Sequence, residues 1–144
     1  MCLKKWVDKC GSSLYLLFRL LVGFFIFSHG LGKMVPGFLG PGDITAFAGL
    51  VWGQTWLAYA VAIAEVLAGV GIFLGLFTRP AALVGSAVML GALVFVHFAK
   101  NVNLLANGSE LAFMYLGAFL VLFVHGAGKW ALEKKLFSKE CFWN

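Results

Sequence analysis

WLAYAVAIAEVLAGVGIFLGLF, Trp56 to Phe77, is a nearly unbroken apolar run with one carboxylate in it, Glu65. A run of about twenty apolar residues is long enough to cross the hydrocarbon core as a helix. A charge held at that depth costs roughly 3 kcal/mol on insertion scales, so it faces a partner or a cavity. The run Leu14 to Leu31 repeats the pattern with a cation, Arg19. These two residues predict a membrane protein with a polar interior.

Composition agrees. The 144 residues are 62% hydrophobic and 12% charged, with a mean hydropathy of +0.95, which excludes an ordinary soluble domain. The length suits one domain of four helices, spanning the whole chain, 1–144. The 18 glycines read as helix interfaces, because small residues let membrane helices approach closely. Two more runs follow, Ala81 to Ala99 and Leu111 to His125. Pro80 suits the first turn of the third span, and Gly126-Ala127-Gly128 ends the fourth. Between spans one and two, Asp43 can cap a short helix over about 43–52, and such a helix can lie in the interface with its aromatics at headgroup depth. The predicted fold is an all-α integral membrane four-helix bundle. The first run is too long for a cleaved leader, and no small-x-small site follows it, so it is expected to stay.

Lys and Arg set the orientation. Lys4, Lys5, Lys9, Arg79, Lys129, Lys134, Lys135 and Lys139 fall on one side, against Lys33 and Lys100 on the other. The positive-inside rule then puts both termini in the cytoplasm, in the inner (plasma) membrane. The net charge of +5 is thus a topology signal, and the basic residues form no stripe for nucleic acid. Cys2, Cys10 and Cys141 share the reducing side and include no Cys-x-x-Cys pair, so they read as free thiols. Asn107-Gly108-Ser109 matches a glycosylation acceptor but reads better as a turn.

Depth orders the polar residues. At about 1.5 Å per residue, Arg19 lies about 8 Å in from the cytoplasmic end and Glu65 about 13 Å in from the outer end. In a core of ~30 Å their levels differ by about 9 Å, so an Arg19–Glu65 ion pair is the natural expectation. Such a pair can serve only to fix helix register, whereas a mid-membrane carboxylate can also exchange protons. A second group gathers at the outer end. His29 and Lys33 share a face of span one, His97 ends span three, and Glu110 opens span four. Singly, each has a bland reading as a snorkelling, capping or interfacial group. Together they predict a polar mouth above Glu65. Two histidines and two carboxylates can bind a metal, but no close ligand spacing supports one, and none is predicted.

The same residues resemble a known family. Arg19, Gly23, then Ser28-His29-Gly30-Leu31-Gly32-Lys33, followed by Glu65, Gly69 and Gly75-Leu76-Phe77-Thr78-Arg79, resemble the ordered signature of the DoxX family. Val96-His97, Glu110 and Tyr115-Leu116-Gly117 follow its later pattern, so the likeness covers about Leu14 to Glu133. After the fourth span, Gly126-Ala127-Gly128-Lys129 stands where the family usually has Gly-Pro-Gly-Arg/Lys. Glu133 stands where an Asp is common. The resemblance implies a small four-helix membrane protein. Its relatives include the small subunit of a thiosulfate:quinone oxidoreductase, and others have no known activity.

A quinone site needs an apolar slot, a donor for the carbonyls and a proton route. Phe24, Phe25, Phe27 and Phe73 offer walls, His29 and Lys33 are donors, and Glu65 can pass protons, with Arg19 keeping its carboxylate charged where the two pair. Quinone is the cofactor that the resemblance implies, and these residues suit it. No flavin, haem or iron–sulfur motif is present, so electrons come from a partner, a soluble or membrane redox subunit, or from another cofactor. Besides lipid, the expected partners include a second copy of the chain. Two other readings stay open: a proton-coupled small-molecule transporter, against which the charge bias counts, and a non-catalytic membrane assembly protein.

Overall fold

A computed structural model describes residues 2–37, 42–103 and 106–137. Lys139 and Cys141 lie outside the described residues, as does part of the connection after span one. The elements are α1 (Cys2–Met34), α2 (Ile44–Leu50), α3 (Thr55–Leu74) and α4 (Thr78–Gly91). A π-helical turn (Ala92–His97) and α5 (Phe98–Lys100) continue α4, and then come α6 (Glu110–His125) and α7 (Leu132–Leu136). No strand occurs among the described residues. The architecture is an all-α membrane bundle of four rods: α1, α3, α4 with its continuation, and α6.

Cys10–Met34, Thr55–Leu74 and Thr78–Lys100 are each long and apolar enough to cross a bilayer. The fourth rod has 16 residues, about 24 Å at the helical rise. It is shorter than the ~30 Å core and needs local thinning or tilted neighbours to match it. All four rods are greasy outside, with Leu67, Met114 and Val124 among many exposed apolar side chains. That is the pattern of a bundle solvated by lipid.

Glycine sets how closely α1 and α3 approach. A Cβ on Gly23 would stand 2.5 Å from the Phe73 backbone nitrogen, and one on Gly69 2.5 Å from that of Phe27. At Gly30 it would stand 2.6 Å from the Ala62 carbonyl oxygen. The two backbones therefore touch along a seam that no larger residue would permit. On the other side of the bundle, Gly85 of α4 receives the ring of Phe119 of α6. Val22, Ile26, Ile72, Met89, Leu93, Phe119 and Leu122 form the central core. A second, smaller cluster seats α2 through Ala48 and Val51 on Ala58 of α3.

Helix ends follow local chemistry. Asp43 caps α2, accepting from the backbone N–H groups of Thr45 and Ala46 and from the Thr45 hydroxyl. α3 stops at Gly75, whose φ of +66° suits a residue without a Cβ. Phe77, at φ +51°, turns the chain into α4. Thr78 starts that helix three residues earlier than hydropathy predicts, and Pro80 sits within its first turn.

Candidate functional site

The predicted Arg19–Glu65 pair is not formed. Glu65, 2% exposed, accepts instead from the Lys33 ammonium, at 2.6 Å on Oε1 and 2.5 Å on Oε2. The reason is register. With Gly23 against Phe73 and Phe27 against Gly69, the antiparallel seam sets Glu65 level with Leu31. Lys33 is then two residues away, but Arg19 is twelve, about 18 Å along the axis. Depth counted from hydropathy boundaries halved that separation.

Lys33 has a further contact. Its ammonium lies 4.4 Å from the centre of the Phe47 ring, on α2. The short helix thus covers the ion pair with an aromatic face, which attracts the cation through its quadrupole. Phe47 was not among the expected site residues; its only sequence signal was its place one turn after the Asp43 cap. The Asp43 carboxyl is held below the usual carboxylate range, first by the Thr45 hydroxyl and then by the Ala46 N–H.

The rest of the expected mouth is only partly assembled. His29 lies one turn along α1 from Lys33 and meets the Tyr115 ring edge-on, at 6.3 Å between centroids. Its ring therefore bridges α1 to α6. Tyr115 entered the sequence reading only as part of the family pattern. His97 is engaged through Nδ1 with the Asn107 carbonyl oxygen at 2.9 Å, which ties the π-helical turn to the following loop. Glu110 is exposed at the first position of α6, where a carboxylate suits the helix dipole. Neither His97 nor Glu110 bonds to the Lys33–Glu65 pair. No group of three His, Cys, Asp or Glu able to hold a metal occurs among the described residues.

Phe27 and Phe73 do come together. With Phe24, Gly69, Val70 and Leu74 they line a slot of about 240 Å³ between α1 and α3. Phe24, Val70, Phe73 and Leu74 are exposed, so the slot opens on the lipid-facing surface. Gly69 lies one helical turn from Glu65, but neither Glu65 nor Lys33 lines the slot.

Arg19 belongs to a different construction at the other end. It is 1% exposed, and its guanidinium donates to the carbonyl oxygens of Ala127, Lys129 (3.3 Å) and Trp130 (3.1 Å). Tyr15, one turn earlier, donates to the Gly126 carbonyl oxygen at 2.5 Å. Glu133 accepts from the Phe77 N–H, and its own N–H donates to the Gly75 carbonyl oxygen. The segment after α6 is therefore folded back beneath α1 and the α3–α4 turn. Gly75 has to be glycine twice over, since a Cβ there would stand 2.7 Å from Arg19 Nη1. Ala127 sits inside this clamp and offers its carbonyl to Arg19.

The chain is a member of the DoxX family. The family's profile matches residues 14–98, which carry Arg19, the His29–Lys33 motif, Glu65 and the Thr78-Arg79 turn. An uncharacterised protein of Haemophilus influenzae is 38% identical over 124 residues, covering 84% of this chain and 89% of its own length. A Bacillus subtilis protein provisionally named as an oxidoreductase, CatD, is 33% identical over 81 residues, 56% of this chain and 58% of its own. An uncharacterised membrane protein of Mycobacterium tuberculosis is 28% identical over 137 residues, covering 88% of this chain and 83% of its own. No solved structure matches the chain.

Proposed function

We propose that this DoxX protein is the membrane subunit of a quinone-linked oxidoreductase, set in the inner (plasma) membrane with both termini cytoplasmic. One observation carries the reading: Glu65, buried and paired with the half-buried Lys33, stands one helical turn from Gly69, which lines an apolar slot that opens towards lipid. The name of the Bacillus subtilis relative points to the same class of chemistry.

The residues suit a quinone. The slot's walls are apolar, and its 240 Å³ is below the ~300 Å³ at which enclosed ligand pockets begin. A single ring fits it with the isoprenoid tail left in lipid. A quinone, when bound, carries electrons and protons together. The chain's own residues handle the polar ends of that task. Lys33 can donate to a ring carbonyl, and His29, one turn away, can do the same. Glu65 is the proton acceptor at that depth, and Lys33 beside it holds the carboxylate in place. Arg19 has no part in this, because its donors are committed to the C-terminal segment. Electrons leave through a redox partner, since the chain offers no flavin, haem or iron–sulfur ligand pattern.

The test is quinol oxidation by membranes containing the chain with its co-purified partners, against the chain alone. The assembled complex should turn over and the isolated chain should not. Glu65→Gln should lower the partner-dependent rate by about 10²-fold, the low end for loss of a proton-transfer group, while the complex stays assembled. Robust turnover by the isolated chain, or a full rate in assembled Glu65→Gln, would overturn the reading. A proton-driven solute flux in liposomes that vanishes in Glu65→Gln would replace it with a transporter.

A further inference from the structure

The end of the bundle opposite the Lys33–Glu65 pair holds a second cavity, of about 460 Å³, between the start of α1, the end of α6 and the segment after it. That size falls within the ~300–1,000 Å³ of small-ligand sites. Its lining is Ser12, Tyr15, His125, Gly128, Lys129 and Lys134. Among the described residues these are two ammonium groups, an imidazole, a hydroxyl and a phenol, with no carboxylate. A concave wall of that chemistry selects an anion.

A second, independent feature adds positive charge behind the same wall. Arg19, one turn on from Tyr15, is buried and pairs with no carboxylate among the described residues; its Nε has no hydrogen-bond partner. Three of its bonds go to carbonyl oxygens of the segment that forms the cavity's edge, and Tyr15 takes a fourth carbonyl, Gly126. These four carbonyl oxygens are thus each engaged by a donor. The negative end of the α6 dipole is also met, by Arg79 donating to the Val124 carbonyl oxygen at 3.2 Å.

Position narrows the anion. Ser12 and Tyr15 stand near the edge of the Cys10–Met34 span, and His125 ends α6. The cavity therefore lies at headgroup depth. Leu14, Val121 and Val124, exposed on the same two helices, supply an apolar surface just inside it. We infer that this cavity binds the phosphate of an anionic phospholipid, with the acyl chains lying along α1 and α6. Lys129 and Lys134 contact the phosphate, and Ser12, Tyr15 and His125 surround the headgroup.

The test uses the full chain purified in detergent and titrated with phosphatidylglycerol, with phosphatidylcholine of the same acyl chains, and with inorganic phosphate, read by native mass spectrometry and thermal unfolding. Phosphatidylglycerol should bind in preference and raise the unfolding temperature. The Lys129→Gln/Lys134→Gln double variant should bind it about tenfold more weakly. Both side chains are exposed, and the backbone bond from Arg19 to the Lys129 carbonyl is untouched. Lys100→Gln, at the opposite end, should bind as the parent does. Equal binding of phosphatidylcholine, or an unchanged double variant, would overturn the inference. Inorganic phosphate displacing the lipid at equal concentration would overturn the lipid assignment in favour of a free anion. Should the double variant misfold, a phosphatidylglycerol with a photoreactive headgroup decides on the unaltered chain. Adducts within residues 12–15 and 125–134 support the site, and adducts confined elsewhere refute it.

Discussion

Arg19, buried, and Lys33, half-buried, sit on one helix, and their partners could hardly differ more. Lys33 has a carboxylate, and Arg19 has a set of carbonyls. Removing Arg19 would strip donors from three part-buried carbonyl oxygens and open a gap beside Gly75. Each such acceptor left unsatisfied costs about 1 kcal/mol or more. Arg19→Met should therefore lower stability by about 3 kcal/mol or more, read as a large fall in unfolding temperature in detergent. A change within a degree or two would contradict the clamp. Arg19→Lys should rescue little, since one ammonium cannot reach carbonyls spread over Ala127 to Trp130 as a planar fork does. At the other site, Glu65→Gln leaves the Lys33 ammonium without its counter-charge. Lys33 is nearer the surface, at 16% side-chain exposure, and can snorkel outward, so the cost should be smaller, about 1–3 kcal/mol. The paired change Glu65→Gln/Lys33→Met should recover part of it, as a double-mutant cycle would reveal. Full additivity would mean that the two side chains do not interact.

At the scale of elements, the Asp43 cap makes the stability of α2 respond to pH. Its Asp43 cap has a folded pKa depressed by the Thr45 hydroxyl and the Ala46 N–H. A depressed carboxyl stabilises the fold above its unfolded pKa and loses that contribution as pH falls through the folded value. Amide exchange over residues 45–50 should thus stay slow at neutral pH. It should quicken only below the ordinary carboxylate range of about 4. Asp43→Ala should show the fast exchange already at neutral pH, while Asp43→Asn keeps the cap. Exchange that quickens near pH 6 would point to another group.

The four rods and the Asp43-capped helix were legible in the sequence because each rests on a local signal, hydropathy or a cap. The glycine seam was legible in kind, as close packing, but not in register. Register depends on which glycine meets which backbone, and an error of a few residues there moved Glu65 from Lys33 to Arg19. The π-helical turn after Gly91 left no mark at all, since Ala92 to His97 reads as ordinary apolar helix. The clamp on Arg19 was hidden for a similar reason: its acceptors are main-chain oxygens more than a hundred residues away, and any residue type supplies them.

For the whole molecule, the decisive question is which way the bundle faces. The Lys33–Glu65 pair and its aromatic cover lie at one end, and the basic cavity and tail clamp lie at the other. The bias in Lys and Arg predicts that the clamp end is cytoplasmic. Single cysteines in a background with Cys2, Cys10 and Cys141 replaced by Ser resolve this directly. Val102→Cys, in the exposed loop before α6, should react with a membrane-impermeant maleimide in intact cells. Leu136→Cys, exposed near the end of α7, should react only after the membrane is opened. The reverse pattern would put Glu65 near the cytoplasm and remove the outer-side access to protons that the proposed chemistry uses. It would also put the basic cavity on the outer face. Equal labelling of both positions in intact cells would mean two orientations, and a fixed route for protons would then be untenable. A single orientation with Val102 outside leaves the slot reached from lipid, the proton acceptor reached from the outer face, and the tail clamp beside the cytoplasmic headgroups.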